Sequence, residues 1–185
     1  MEEFLKKTKL IDDFIIFLNV DKNKFATALR NQVDEKDIDG LFSSAFEVFS
    51  TNKKRYKGFV NFNEFKIRKK RSFGNRKFGN IKAIGRLSQN GEKLKVSTKI
   101  NGWNNFMLFY FGITLVFYTI FIFFFLSNIG LSEGENSVFY IFIPFIIIHA
   151  LLMFGLPIYQ IRKGVASFKR ELEREFHFIV SKINH

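Results

Sequence analysis

The sequence contains no cysteine, only two prolines and only three histidines among its 185 residues. The absence of cysteine excludes disulfide scaffolds, thiolate catalysis, iron–sulfur clusters and cysteine-based zinc sites. His177 and His185 lack the spacing of metal ligands, and no serine–histidine–aspartate or paired-carboxylate arrangement stands out. The sequence therefore predicts no metal, no cofactor and no catalytic residue, and it does not favour an enzyme.

Charge is absent from two long stretches. Residues 106–126 form a run of 21 and residues 138–161 a run of 24 without Asp, Glu, Lys or Arg. At 1.5 Å per residue the first run makes about 31 Å of helix, which matches the hydrocarbon core of a bilayer. Both runs, joined by a short polar connector, predict a transmembrane hairpin over residues 103–161. Pro144 and Pro157 each remove a backbone donor, so the freed carbonyls need partners from a neighbouring helix or from local readjustment, and we expect the two spans to pack against each other.

The basic residues around these spans predict the orientation. Lys95 and Lys99 precede the first span, Arg162 and Lys163 follow the second, and the connector contains no basic residue. Because cytoplasmic flanks are enriched in Lys and Arg, we expect an integral membrane protein with both termini in the cytoplasm.

The first 102 residues predict a small cytoplasmic α+β domain in which the charge changes sign. Residues 1–50 have a net charge of −3, whereas residues 53–99 hold sixteen basic and two acidic side chains, a net charge of +14. Apolar residues at helical spacing predict a helix between Phe4 and Leu18, and a second helix that opens with Asp21 as its N-cap. Residues 38–49 fit either a third helix or a strand.

Residues 55–100 change to the alternation of apolar and polar side chains that is typical of half-buried strands. Four segments fit this pattern: KGFVNF, FKIRKK, IKAIGRLS and KLKVSTKI. Asn90-Gly91 between the last two predicts a hairpin with a type I′ turn. The expected fold class is therefore α+β. It comprises N-terminal helices over 1–50, a four-stranded antiparallel meander over 55–100, the transmembrane hairpin over 103–161, and a C-terminal helix over 162–185.

The C-terminal helix is predicted to be amphipathic. Its apolar face is formed by Val165, Phe168, Leu172, Phe176, Ile179 and Ile183. Such a face needs a partner surface. Two alternatives fit the pattern: packing on the N-terminal helices of the same chain, or docking to another subunit.

Several short segments carry a family resemblance. They are Gly58-Phe59-Val60, Phe65-Lys66-Ile67-Arg68 followed by a basic loop, Ile84-Gly85-Arg86, and Ile143-Pro144-Phe145 in the second span. Over residues 55–165 the chain resembles a group of small, uncharacterised, two-span bacterial membrane proteins. The resemblance implies a bacterial inner (plasma) membrane and the same architecture, and it carries no catalytic residue to transfer.

The basic meander predicts a binding surface. Its candidate residues are Lys66, Arg68, Lys69, Lys70, Arg71, Arg76, Lys77, Lys82 and Arg86. Beside a membrane span, such charge density favours contact with anionic lipid headgroups. Basic residues interleaved with Tyr56, Phe73 and Phe78 also fit nucleic acid, which we consider the weaker alternative. An acidic protein surface is a third possible partner.

His149 lies inside the second predicted span. An ionisable side chain within a membrane is a functional candidate. Since neither span contains a charged partner, we favour a structural hydrogen bond, to Thr114 or Tyr118, over a proton relay. We therefore expect a non-enzymatic membrane protein that contacts the anionic inner leaflet and binds another membrane or cytoplasmic protein, as an accessory subunit or an immunity-like protein. The alternative is an oligomeric transport or signalling component with a path near His149.

Overall fold

The computed structural model describes residues 2–36, 38, 54–70, 81–129 and 136–184. The elements in chain order are α1 (Glu2–Lys7), β1 (Ile11–Leu18), α2 (Lys22–Gln32), β2 (Val33–Glu35), β3 (Tyr56–Val60), β4 (Glu64–Lys69), β5 (Lys82–Asn90), β6 (Lys93–Asn101), α3 (Asn105–Ile129) and α4 (Asn136–Ile183). They form two compact units. One comprises Met1–Trp103 with Ile161–His185, and the other comprises Asn104–Gln160.

The α+β class is confirmed, but the sheet differs from the predicted meander. In the described part of the chain it has six strands, not four, in the order β1-β6-β5-β4-β3-β2. The strands β3 to β6 form the predicted antiparallel succession, whereas β2 pairs with β3 in parallel. The two additional strands lie at opposite edges of the sheet, and α2 connects them. The sheet is therefore mixed.

The predicted helix between Phe4 and Leu18 is wrong over most of its length. The helix α1 ends at Lys7, and Lys9 has a φ of 57°. The amides of Lys9 and Leu10 donate to the carbonyls of Lys6 and Leu5, which is the Schellman arrangement that ends helices. Ile11–Leu18 then pairs with β6 along its full length. The apolar run Phe14–Leu18 fits both the helical period of 3.6 residues and the strand period of two, and its β-branched and aromatic side chains favour a strand.

The predicted second helix and its cap are confirmed. Asp21 Oδ1 accepts hydrogen bonds from the amides of Asn23 (2.9 Å) and Lys24 (3.0 Å), which satisfies two donors at the start of α2. The helix passes directly into β2 at Val33. The predicted third helix or strand over 38–49 lies outside the described residues, except for Ile38, which is buried.

The predicted hairpin between β5 and β6 is confirmed, but its turn is shifted by one residue. Asn90 is the last residue of β5 and pairs with Lys93, so the two turn residues are Gly91 and Glu92. Gly91 has a φ of 61°, and Glu92 is not among the positive-φ residues. Glycine at the first central position is the pattern of a type II′ turn, rather than the type I′ turn predicted.

The core of the first unit lies between one face of the sheet and the C-terminal part of α4. Phe176 is fully buried, and its ring packs against Phe14 of β1, Phe25 of α2 and Phe65 of β4 at centroid distances of 6.5, 5.5 and 5.7 Å. The predicted apolar stripe of this segment is therefore covered by the chain's own sheet and α2. The segment is not a separate helix, because α4 continues without interruption from Asn136 to Ile183.

Among the described residues, three ion pairs connect α4 to this face of the sheet. Lys169 pairs with Asp12 at 3.1 Å, Glu171 with Lys69 at 2.6 Å, and Glu175 with Arg55 at 2.9 Å. They extend from β1 at one edge to the start of β3 near the other. The sheet face that carries Phe14 and Phe65 is called the core face below.

The second unit contains two helices long and apolar enough to cross a membrane, among the residues described. The predicted spans fall within α3 and α4. Only 11% of the most apolar window of α3 and 6% of that of α4 is buried. The Tyr110 hydroxyl donates to the Met153 carbonyl at 3.2 Å. That carbonyl lies four residues before Pro157 and lacks its helical donor, so the prediction that the neighbouring helix supplies a partner is confirmed for Pro157.

Candidate binding face of the sheet

The face opposite the core face is defined by the strand register, since alternate side chains project to opposite sides. We call it the open face. Its side chains form four rows across the sheet, starting at β1, and one further pair, Lys93 with Asn90, beside the β5–β6 turn. The rows are Phe17, Lys95 and Ser88; Ile15, Ser97, Arg86 and Glu64; Asp13, Lys99, Ile84, Lys66 and Phe59; and Ile11, Asn101, Lys82, Arg68, Lys57 and Asp34.

The helix α1 packs against the β1–β6 part of this face. Glu2 accepts a hydrogen bond from Lys99 at 2.6 Å, and Lys6 pairs with Asp13 at 2.5 Å. The bond from Lys99 and its positive charge lower the pKa of the Glu2 carboxyl, and the bond to Asp13 with its negative charge raises the pKa of the Lys6 amine. These exposed pairs hold a short helix of six residues in place.

The structure separates the predicted basic residues from one another. Lys66, Lys82 and Arg86 project from the open face, and Arg86 is the most exposed of the three. Lys69 lies on the core face, where it pairs with Glu171. Lys70 follows β4 and is half-buried.

Four other predicted residues have different outcomes. Arg68 belongs to the open face by register but is only 1% exposed, so it is not presented to a ligand there. Arg71, Arg76 and Lys77 lie outside the described residues.

Among the residues of the open face that are exposed or half-buried, we call three apolar and three basic side chains the open patch. Its members are Ile15, Phe17, Ile84, Arg86, Lys93 and Lys95. Ile15, Phe17 and Ile84 are 56%, 58% and 42% exposed. Only Arg86 belonged to the predicted set. The period of two in Lys93, Lys95, Ser97 and Lys99 was a signal for the missed basic residues, whereas Ile15 and Phe17 were hidden by the helical interpretation of β1.

The second predicted site is His149, in the helical hairpin. Its Nδ1 lies 2.5 Å from the hydroxyl of Tyr118 on α3, and Phe145 stacks on its ring with centroids 6.1 Å apart. Of the two predicted partners, Tyr118 makes the bond, while Thr114 donates to the carbonyl of Tyr110 in its own helix. The histidine is thus bonded across the hairpin.

No protein-family model, curated protein or solved structure matches this chain. Among the described residues, no group of three or more His, Asp or Glu is placed to hold a metal ion. The physical character of the open face and of the hairpin is therefore the basis for any functional proposal.

Proposed function

We propose that this chain is an integral membrane protein that crosses the bilayer twice and acts by binding, not by catalysis. The observation that carries the proposal is the exposure of the apolar helices. Phe117 and Phe123 of α3, and Ile147 and Leu151 of α4, are each more than half exposed. Exposed apolar surface costs about 25 cal/mol per Å² in water, and a hydrocarbon environment removes that cost. A core helix of a soluble protein would instead be mostly buried.

The arrangement of basic flanks supports two spans with both termini in the cytoplasm, and the bacterial inner membrane is proposed from the resemblance over residues 55–165 alone. Because the chain has no cysteine, single introduced cysteines report topology cleanly. A cysteine at Ser132 should react with an impermeant thiol reagent added to intact cells, whereas one at Ser88 should react only after lysis. Labelling at Ser88 alone would contradict this orientation, and recovery of the chain in the soluble fraction would contradict the membrane proposal itself.

The strongly basic sheet supports contact of this unit with the anionic inner leaflet. Only three residues, 102–104, separate the end of β6 from the start of α3. A tether this short keeps the sheet close to any bilayer that α3 enters. Each basic residue near an anionic surface contributes about 1 kcal/mol of attraction, which salt screens.

A protein partner completes the proposed role, as for an accessory subunit or an immunity-like protein. Phe59 and Phe62, at the β3–β4 hairpin, are 40% and 54% exposed. Exposed aromatic side chains of this kind are enriched where proteins associate. A photoreactive residue at Phe62 should crosslink to a membrane or cytoplasmic protein in cells, whereas one at the exposed Lys182 should not. Equal crosslinking at the two positions would contradict a specific partner surface.

A second candidate function is an oligomeric transport or signalling component with a path near His149. The bond between Tyr118 and His149 favours it, since it places a polar pair between two otherwise apolar helices. Two helices cannot enclose a path, so this function requires several copies. A monomeric mass in detergent and in reconstituted bilayers would exclude it, and so would full biological effect in His149→Gln.

A further inference from the structure

The two edges of the described sheet differ in length and in chemistry. At one edge, β2 has only three residues, Val33–Glu35, and the Val33 carbonyl accepts a hydrogen bond from the Lys54 ammonium group at 2.9 Å. At the other edge, β1 has eight residues, Ile11–Leu18. Short length, charge and lysine are common means by which proteins prevent a sheet edge from pairing with another chain. The β2 edge has all three, whereas the apolar second half of β1, Phe14–Leu18, has neither charge nor lysine.

The strand register shows which backbone groups of β1 face outward. The amide of Gly102 donates to the carbonyl of Leu10 at 2.9 Å, and these two residues continue the β1–β6 register. In an antiparallel pair, opposed residues that exchange hydrogen bonds alternate with opposed residues that do not. The even-numbered residues of β1 therefore bond to β6. The amide and carbonyl groups of Asp13, Ile15 and Phe17 point away from the sheet, and no strand in the described part of the chain pairs with them.

Apolar side chains along this edge are accessible as well. Ile15 and Phe17 are 56% and 58% exposed on the open face, and Ile16, which belongs to the core face, is half-buried. Because Ile11 is buried, the accessible part of the edge is Asp13–Phe17. Directly opposed residues of an antiparallel pair have Cβ atoms about 5 Å apart, so an added strand would place its side chains against these three. The edge therefore fits an extended segment with apolar side chains.

The charge of the sheet indicates which extended segments the edge would favour. Lys95 lies directly across from Phe17, and Arg86 belongs to the same row as Ile15. Neither cation makes an ion pair with a residue that the structure describes. Residues 53–99 have a net charge of +14, which attracts acidic chains and repels basic ones. A second copy of this chain, with a net charge of +12, is therefore a less favourable occupant than an acidic partner.

We propose that the outer edge of β1 binds an extended apolar segment of another protein, flanked by acidic residues, which pairs with Asp13–Phe17 as a further strand of the sheet. In this mode of recognition, backbone hydrogen bonds supply affinity and side chains at alternate positions supply specificity. The proposal goes beyond the proposed function, because it names a surface other than the β3–β4 hairpin and the conformation in which a partner binds there.

The test uses the full chain in detergent and a synthetic probe peptide. The probe is a nonapeptide, Glu-Glu-Val-Ile-Val-Thr-Val-Glu-Glu, in which four carboxylates flank an apolar segment of high strand propensity. In the first control peptide the five central amides are N-methylated, which removes the donors that strand pairing needs. In the second control peptide Lys replaces each Glu. We expect the probe to bind, the N-methylated peptide not to bind, and the Lys peptide to bind more weakly than the probe.

Hydrogen exchange resolved to single amides locates the contact. In the free chain the outward amides of Asp13, Ile15 and Phe17 should exchange faster than those of Phe14 and Ile16, which bond to β6. Saturating probe should slow the exchange of the three outward amides and leave the other two unchanged. Protection of the outward amides in the free chain that increases with its concentration would assign the edge to a second copy and overturn the proposal.

Matched variants separate the backbone contact from the side-chain contact. Ile15→Pro removes an outward amide but no bond to β6, and proline is tolerated at such positions of edge strands. It should weaken binding of the probe about tenfold, as expected for the loss of one or two backbone hydrogen bonds. Ile15→Thr keeps the amide and should weaken binding less. Slow exchange of the Phe14 and Ile16 amides verifies that both variants retain β1.

A second pair of variants tests the position of the contact. Phe17→Thr should weaken binding of the probe, whereas Phe59→Thr should not, although both rings are exposed on the open face. Three results would each overturn the proposal: no protection of the outward amides by the probe, equal binding of the N-methylated peptide, and equal effects of Ile15→Pro and Ile15→Thr. Binding of the Lys peptide as tight as that of the probe would overturn its acidic part.

Discussion

The core face and the open face of one sheet use the same residue types for different purposes. On the core face the basic side chains complete ion pairs with α4, and the aromatic rings of Phe14, Phe65 and Phe176 exclude water. On the open face Arg86 and Lys95 make no ion pair with any residue that the structure describes, and they lie beside exposed Ile15 and Phe17. Adjacent residues in one strand belong to opposite faces, so strand register decides whether a lysine of this sheet lies on the side of α4 or on the open face.

The largest loss of unfolding free energy should follow the removal of a buried ring from the core face. Phe176→Ala leaves a cavity among Phe14, Phe25 and Phe65, and substitutions of this type cost about 3–5 kcal/mol. Denaturant unfolding of the detergent-solubilised chain, followed by near-ultraviolet circular dichroism, measures the loss. Phe178→Ala, two residues away and exposed, should change the free energy of unfolding by less than about 0.5 kcal/mol. Similar losses for the two variants would contradict the described packing of α4.

A smaller loss of unfolding free energy should follow when a methyl group is added on the core face. A Cβ at Gly85 would lie 2.1 Å from the ring of Phe65, which covers this glycine from the neighbouring strand. Gly85→Ala therefore forces the ring to move, and such overpacking costs about 1–3 kcal/mol. Ile84→Ala, on the open face of the same strand, is the comparison, and it should cost less. The same denaturant unfolding measures both variants. A larger loss of unfolding free energy for Ile84→Ala than for Gly85→Ala would contradict our assignment of the faces.

Removing single cations from the two faces should change the free energy of unfolding by still smaller amounts. Lys69→Gln removes the partner of Glu171 on the core face, a half-exposed pair for which we expect a loss of about 0.5–1 kcal/mol. Arg86→Gln removes a cation that has no ion-pair partner in the described part of the chain, and it should leave the free energy of unfolding unchanged within error. Double-mutant analysis with Glu171→Gln isolates the pair. An effect of Arg86→Gln as large as that of Lys69→Gln would show that the open-face cation has a structural partner.

The smallest expected effect concerns the attachment of α1 to the open face. The pKa of Glu2 is lowered from its usual 4.5, so its stabilisation is present above that pH and is lost as the pH falls through the lower folded-state value. The pKa of Lys6 is raised from 10.5, so its stabilisation is present below that pH and is lost as the pH rises through the higher value. A fluorophore at Phe4 should therefore report constant α1 docking between these limits. Glu2→Gln should remove the acid transition, and persistence of that transition would assign it to another group.

Local signals in the sequence were sufficient for several elements. Asp21 marked the start of α2, Gly91 placed a hairpin, and two uncharged runs located α3 and the first part of α4. Each of these features depends on neighbours in sequence, which single-sequence patterns report well. The prediction for β1 was wrong because Phe14–Leu18 is apolar on both of its faces, and only its pairing with β6 decides its structure.

The candidate site was harder to predict than the fold, because it depends on which strands are neighbours. A cluster of positive charge was visible in the sequence, but not its division between Lys69 on one face and Arg86 on the other. Burial of Arg68 and the approach of Phe17 to Lys95 also require long-range pairing. The pattern of β6 alone, with Lys93, Lys95 and Lys99 among its alternate positions, was enough to predict one basic edge of the open patch.

The position of Phe176 in the chain has a consequence for biosynthesis. The ring that closes the core of the sheet unit is translated after the six described strands, after α3 and after the apolar first part of α4. While the ribosome is making α3 and the first part of α4, Phe14, Phe25 and Phe65 lack their cover. The sheet unit therefore cannot mature as an independent N-terminal domain, and a nascent chain arrested before residue 161 should be a substrate for chaperones and proteases. The C-terminal part of α4 leaves the ribosome last, so the sheet unit is completed only after the hairpin has been made.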